Sequence, residues 1–507
     1  MKGDTTRSYS EKKTNFDNFV GVLHQQGRVL LDRDWNDQIY IVTNWQVQAA
    51  RDIIGAGVAA IPEIEFQNFK IQEETISIDE ESEGISFNIT PGRLWADGFL
   101  LYLEDQKGVK QKRIALKHQL FKHSEDSSRY AILLEVWQES INGFQMPNDL
   151  IEPALGGVDT TQRLQTAFTF RSLKLRSKAN DTCEDIRDHI KKILDAKKST
   201  LTVTFESTGG GHHESPMEEW SGYTGLEHAL YRIEVADTDK GSPHNLFKWS
   251  RCNGGLVGRG KKDGDTIKIT ANRQAILGSG STKFYLEIIK HNEKYGFWGP
   301  TYGATVELTP ENDLEVKGTP YLTKEVSNGD VFFRLWDGIF PVSDDLTLLE
   351  NGICLQFDTL NWGNMRPGDY WTFPVRATSI PLVESVELPK AKEPDGVNYH
   401  LVPFAIISRN NNETFDFTDC RIPFRSLANS RKSDEEYETQ KKRVTLYHNL
   451  LEVPVLVLLF IGIITAVLNV TVTGFTPIVW FLLSFWCVMV IICMEITMIR
   501  AALERKK

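Results

Sequence analysis

The sequence predicts a mainly β, α+β protein: a β-rich body of one or two sandwich- or barrel-like domains, an N-terminal helix, and a C-terminal two-helix transmembrane hairpin. Three observations lead there. From Val453 to Met494 the chain runs 42 residues without Asp, Glu, Lys, Arg or His. Between about residues 61 and 425, short apolar–polar alternations recur, separated by turn pairs such as Pro91-Gly92 and Asp97-Gly98. Between Trp35 and Ile53, by contrast, apolar residues recur at helical spacing.

Residues 1–60 form an N-terminal docking segment. Its start, MKGDTTRSYSEKKTNFDNF, lacks the apolar core of a signal peptide. A helix follows, which Asp32 or Asp34 can cap and which Gly55 and Gly57 end ahead of Pro62. Trp35, Ile39, Val42, Ala49 and Ile53 share one face, so the helix should dock onto its own domain or onto a neighbour. Gln25, Gln26, Arg28, Asp32, Asp34 and Trp35 are the candidate docking residues. The competing expectation is internal, with Gly27 in a turn, Arg28 paired to a carboxylate and Trp35 in the core.

The β-rich body spans residues 61–425, with a subdomain break near 175–215. ETISIDE, GISFNI, LWADGFLLYLE and YAILLEVWQESI read as its first strands. NDTCEDIRDHIKKILDAKKS reads as a short charged helix, and a second set of strands runs from LTVTFE to DYWTFPVRA. No self-similarity at a fixed period is visible, which disfavours a solenoid or propeller.

Residues 426–450 read as a charged linker helix opened by a capping box from Ser433 to Glu436, with Glu438 four residues ahead of Lys442. Residues 451–507 hold the hairpin and a basic tail. A spanning helix needs about 20 mostly apolar residues, and the uncharged run supplies two such lengths around Gly474 and Pro477. Val453, Leu456, Leu459, Ile463, Trp480, Leu483, Trp486 and Val490 are the expected lipid anchors; the rival is a buried hairpin of a soluble domain. Lys441, Lys442 and Arg443 precede the first span, and Arg500, Arg505, Lys506 and Lys507 follow the second. Basic residues beside spans stay cytoplasmic, which places both termini and the body on that side. Glu495 lies near the same interface.

Charge and chemistry narrow the function. With 57 basic and 68 acidic residues the net charge is −11, which argues against nucleic acid as a partner. Two of the six cysteines lie in the second span, and the others, Cys183, Cys252, Cys354 and Cys420, are scattered without a C-x-x-C pair. That spacing suggests neither a disulfide framework nor a zinc site, and it suits a reducing compartment. Asp32-Arg33-Asp34-Trp35-Asn36-Asp37 opens like a calcium loop, but Asp37 stands where Gly is required and Thr43 where Glu is. Gly278–Lys283 lacks the phosphate-loop spacing and reads as a hairpin turn. His212, His213 and Glu214 on a glycine run have no identifiable third partner for a metal. There is no G-x-S-x-G elbow, and no carboxylate pair stands out from the many acidic residues. No enzyme activity, cofactor or metal is expected.

GVLHQQGRVLLDRDWNDQ resembles the opening signature of a domain family of unknown function found among phage-tail-like contractile injection systems. The likeness continues through ITPGRLWADGFLLY, YAILLEVWQ, PALGGVDTTQRLQT and GYTGLEHALYRIEV, and then through FKWSRCNGG, LWDG, GDYWTFPVRA, PDGVNYHLVPFA and DCRIPFR. It covers about Gly21 to Arg425; Cys252 and His228 depart from it, and the hairpin lies outside it. The resemblance implies a baseplate-associated structural protein with no known reaction, contacting baseplate or spike subunits as a homo-oligomer, a trimer or hexamer. With the hairpin, the expectation is an anchor holding such a particle at the cytoplasmic face of a bacterial inner or internal membrane. The alternatives are a membrane-tethered sensor that triggers firing and an envelope glycan hydrolase.

Overall fold

The computed structural model of the chain describes residues 19–506 apart from 80–83, 104–111, 117–128, 156–157, 176–181, 206–222, 226, 240–244, 293–295, 326–327, 376–387, 410–414 and 426. It divides into two compact units, Met1–Pro423 and Phe424–Lys507. The first is β-rich, and its chain is nested: each sandwich holds the next domain as an insertion.

The outer layer is a sandwich. Its main sheet has the order Arg163–Lys174, Arg129–Ile141, His400–Arg409, Phe415–Asp419. Successive side chains on a strand point to opposite faces, and Arg129–Ile141 uses both. Ile132, Leu134 and Val136 enter a core shared with Phe87, Leu94 and Leu101 from two smaller sheets, while Ala131 and Leu133 face a second cluster on the other side. The helix Cys183–Leu194 covers that second face with Ile186 and Ile190. Thr182 caps it through a reciprocal box with Asp185, which fixes where the helix begins.

Between Lys174 and His400 the chain leaves to build a second sandwich. Its four-stranded sheet runs Gly338–Pro341, Leu246–Ser250, Ala229–Val235, Tyr370–Val375, and its three-stranded sheet runs Leu201–Phe205, Ile353–Phe357, Thr347–Leu348. Tyr231, Phe247, Phe357 and Trp371 fill the space between them. Within this sandwich, between the paired strands Leu246–Ser250 and Gly338–Pro341, the chain closes a six-stranded barrel around Ile267, Leu286, Val306 and Phe333. Gly258 and Gly260 are required in the barrel wall, because a Cβ there would lie within 3 Å of the Phe333 ring or the Ile267 side chain.

Charged side chains join the layers. Glu135 of the outer sheet, fully buried, is held by Arg171 at 2.9 Å and by Arg366 of the inserted sandwich at 2.6 Å. The barrel docks through Trp298, whose N–H donates to Glu139 at 3.0 Å, and through Arg259, which donates to the Phe144 carbonyl at 2.9 Å.

The structure corrects several sequence expectations. Cys183 and Cys420 form a disulfide across 237 residues of sequence, where spacing suggested free thiols. Nesting is the reason: it returns Cys420 beside the helix that starts at Cys183, a proximity that no local pattern encodes. The pairing also removes the cysteine argument for a reducing compartment, because disulfides persist in oxidising ones. The N-terminal helix Asp32–Ile54 has Leu31 at its cap position and no side-chain cap bond, so neither Asp32 nor Asp34 caps it. The linker helix begins at Leu427, six residues before Ser433, so the proposed capping box lies inside a continuous helix. Glu438 is in that helix, but its side chain lies outside the described residues, as does the segment with His212, His213 and Glu214. Gly278–Lys283 links a short helix, Arg273–Leu277, to the strand Lys283–Asn292 and so does not join two strands.

Candidate functional site

Two features stand out from the β scaffold: the C-terminal helix pair and the N-terminal helix. In the second unit, Leu427–Leu468 is one unbroken helix that contains Pro454, and Pro477–Lys506 is the other. Within them, Lys441–Leu468 and Pro477–Thr497, 28 and 21 residues, are long and apolar enough to cross a membrane. At 1.5 Å per residue the shorter one extends about 31 Å, the thickness of a hydrocarbon core.

Their packing is inverted relative to a soluble domain. The residues buried between the helices are small or weakly polar: Thr465, Ser484 and Cys487. Ser484 Oγ donates to the Val455 carbonyl at 3.1 Å and Thr465 Oγ1 to the Ile461 carbonyl at 2.8 Å, so neither hydroxyl is stranded. Gly462 permits close approach; a Cβ there would lie 3.1 Å from the Phe481 ring. The large apolar side chains face outward. Val453, Leu456, Leu459, Ile463, Leu483 and Trp486 are exposed, whereas Trp480 and Val490 are half-buried. Small residues inside and large apolar ones outside is how helices pack in lipid, where there is no hydrophobic drive to bury leucine against leucine.

The connector turns through Asn469, Thr473 and Gly474, all with positive φ, and Phe475 packs edge-on against Trp480 with centroids 5.5 Å apart. At the open end, His448 Nδ1 lies 3.2 Å from Glu495 Oε1, which joins the two helices beside the expected interface. Lys441, Lys442 and Arg443 stand at the very start of the first of these lengths and Arg500 lies just past the end of the second; the side chains of Arg505, Lys506 and Lys507 are outside the described residues.

In the first unit, the N-terminal helix is seated at its C-terminal half. Val47 packs on the outer core, and Arg51 pairs with Asp97 at 3.1 Å. Asp97 and Gly98, both at positive φ, form the two-residue turn between strands Gly92–Ala96 and Phe99–Leu103. The Asp97 carboxylate also accepts the Gly57 N–H at 2.7 Å and meets His400 Nδ1 at 2.7 Å. Burial works to raise its pKa, but the bonds from His400 and Gly57 and the charge of Arg51 outweigh burial and hold it below the ordinary range.

The candidate docking residues lie ahead of that seat. Gln25–Arg28 form a turn, with the Arg28 N–H on the Gln25 carbonyl at 3.3 Å and Gly27 at positive φ, and Gln25, Gln26 and Arg28 are all exposed. Asp32 and Asp34 are in the first helical turn. Trp35 is 54% exposed, with its ring 5.4 Å from that of His24. The segment therefore brings its polar candidates to one end of an exposed helix. Sequence reasoning passed over the neighbours that enlarge this surface: Phe19, Val20, Leu23, Val29, Leu30 and Trp45 are all exposed. The signal was available, since six large apolar residues flank the helix face already identified.

Residues 1–204 match the model of a family of unknown function (DUF6519). No curated protein and no solved structure matches the chain.

Proposed function

We propose that this chain is a structural component of a phage-tail-like contractile injection apparatus, holding the baseplate end of the particle at the cytoplasmic face of a bacterial membrane. The observation that carries the anchoring half is the inverted hairpin, with small residues between the helices and Leu, Phe and Trp outside. Two spans bury far more apolar area than a lipid chain, so insertion is effectively irreversible. The apparatus half rests on the resemblance of Gly21–Arg425 to such systems. The body, with the exposed polar turn Gln25–Arg28 of its N-terminal segment, supplies the surface for baseplate or spike subunits, and many copies on a symmetric particle add avidity.

Cytoplasmic orientation rests on the basic residues that frame the spans. The Cys183–Cys420 disulfide favours a second reading, with the body on an oxidising side, where a role on envelope glycans would become accessible. Alkylation in intact cells separates the two. Cys183 and Cys420 trapped as free thiols support the cytoplasmic body, and their recovery as a disulfide supports the other. The apparatus claim is tested by affinity purification of the full chain from detergent-solubilised cells that express the particle. Recovery of sheath and baseplate subunits supports it; recovery of the chain without them contradicts it.

A further inference from the structure

The outward face of the N-terminal helix carries a stricter pattern than amphipathicity alone. Trp35, Ile39, Val42, Gln46, Ala49 and Ile53 are spaced by four, three, four, three and four residues, the alternation of a coiled-coil seam. A helix packed on its own domain needs a broader stripe, and this helix uses its other side for that: Ile41 and Ala50 are buried, Val47 packs on the outer core and Arg51 pairs with Asp97. The seam itself faces solvent, with Trp35 54%, Ile39 60%, Val42 41% and Ile53 76% exposed.

We propose that this seam pairs with the same helix of a second copy of this chain, parallel and in register. Three observations select that occupant. The first is charge. The positions flanking the seam between Trp35 and Ile53 are Asn36, Gln38, Thr43, Trp45, Ala50 and Asp52, so only one charge borders it there, and Asp32 in the first helical turn is the one carboxylate on the seam line itself. A seam matched to a different helix is usually marked by flanking charges that choose the partner; this one meets its own copy with like charges facing only at Asp32, in the first turn of the helix.

The second is Gln46, the one polar side chain in the stripe. In a parallel, in-register pair it faces the Gln46 of the other copy, and two side-chain amides satisfy each other's donors and acceptors. In an antiparallel pair the same spacing sets Gln46 against Val42, which leaves the amide unpaired, at about 1–3 kcal/mol. A single polar seam residue is a recognised means of fixing register.

The third is area. Monomers seldom expose an apolar patch above about 300–600 Å². Trp35, Ile39, Val42 and Ile53 of the seam, with Trp45 and with Phe19, Val20, Leu23, Val29 and Leu30 of the segment before it, are each 41–94% exposed, a set of large apolar side chains of the kind that a standard interface covers with roughly 800 Å² on each side. Residues 1–18 are a poor cover for it: beyond Met1, only Tyr9 and Phe16 among them are large and apolar. Because the body already holds the helix folded, pairing does not have to supply the entropy of forming it.

The inference requires neither the membrane nor the apparatus, and its test is separate from theirs. The full chain in detergent is studied by light scattering and by oxidative cross-linking in a Cys493→Ser background, which removes the exposed free thiol among the described residues. Ala49→Cys, in the seam, should form a disulfide-linked dimer, whereas Gln48→Cys, exposed but off the seam, should not. Val42→Glu should weaken association at least tenfold with unchanged helical circular dichroism. A wild-type chain that is monomeric at about 10 μM, equal cross-linking at positions 48 and 49, or a Val42→Glu mass equal to wild type would each overturn the proposal. If Val42→Glu fails to fold, the cross-linking pair still decides.

Discussion

Two carboxylates, one buried and one half-buried, show how neighbours decide the behaviour of a residue. Glu234 lies on the strand Ala229–Val235, where burial alone would raise its pKa. Lys248 at 3.0 Å, Arg232 at 2.6 Å and the charge of Arg334 reverse that and hold it at about 2. Its folded value lies below the unfolded value near 4.5, so the stability it contributes is present above pH 4.5 and lost as pH falls toward 2. Lys248 also meets Glu287 at 2.5 Å, so Lys248→Met removes the cation that two buried carboxylates share, leaving Glu234 to Arg232 and Glu287 to the Trp336 N–H, and should destabilise the body by about 3–5 kcal/mol. Chemical unfolding of the full chain in detergent checks this; an effect below about 1 kcal/mol would show that the network is not stabilising. Glu139 shows the opposite balance. Burial raises it to about 7, and the Trp298 N–H, the Trp137 side chain and the charge of Arg334 do not compensate. Its contribution is full below pH 4.5 and is lost as pH rises through 7. Glu139→Gln should keep the bond to Trp298 and flatten the stability profile between pH 5 and 7, read by tryptophan fluorescence during thermal unfolding; a profile unchanged from wild type would remove Glu139 as its source.

At the scale of elements, the predictions concern seats and staples. The Asp97-Gly98 turn seats the N-terminal helix. A Cβ on Gly98 would come within 2.6 Å of the Val47 carbonyl and of Arg51 Cγ at a positive φ, so Gly98→Ala should cost about 1–3 kcal/mol and raise amide exchange throughout Asp32–Ile54. Unchanged exchange there would mean the helix is held elsewhere. Cys420→Ser opens a 237-residue link and should cost about 2–5 kcal/mol where the disulfide is formed. In the hairpin, Gly462→Leu forces a side chain against Phe481 and should increase proteolysis of the connector in detergent, whereas Ser484→Ala, losing one bond, should not. These elements were legible in the sequence to different degrees. The Asp97-Gly98 turn, the charged helix at Cys183–Leu194 and the two apolar lengths each announce themselves by local composition. The Cys183–Cys420 pair does not, because what joins it is the return of the chain through His400–Arg409. The cap expected at Ser433 failed for a related reason: a capping box is a local preference, and the helix continues through it from Leu427 without a break.

The whole molecule is organised by insertion. Strands Arg129–Ile141 and His400–Arg409 are neighbours in one sheet although most of the body lies between them, and the paired strands Leu246–Ser250 and Gly338–Pro341 bracket the barrel in the same way. Sequence alternation locates such strands one at a time but carries no record of which pair, so the β class was readable and the nested order was not. The exposed apolar face of the N-terminal helix was half readable: its periodicity is plain, but only the fold shows that the body takes the other side. At this scale the central claim is that the C-terminal hairpin holds an injection particle at a membrane. Fractionation of cells carrying either the full chain or a chain stopped after Ser430 tests it most directly. The account predicts that assembled, contractile particles sediment with membranes in the first case and are released in the second. Particles that stay membrane-bound without the hairpin would contradict it.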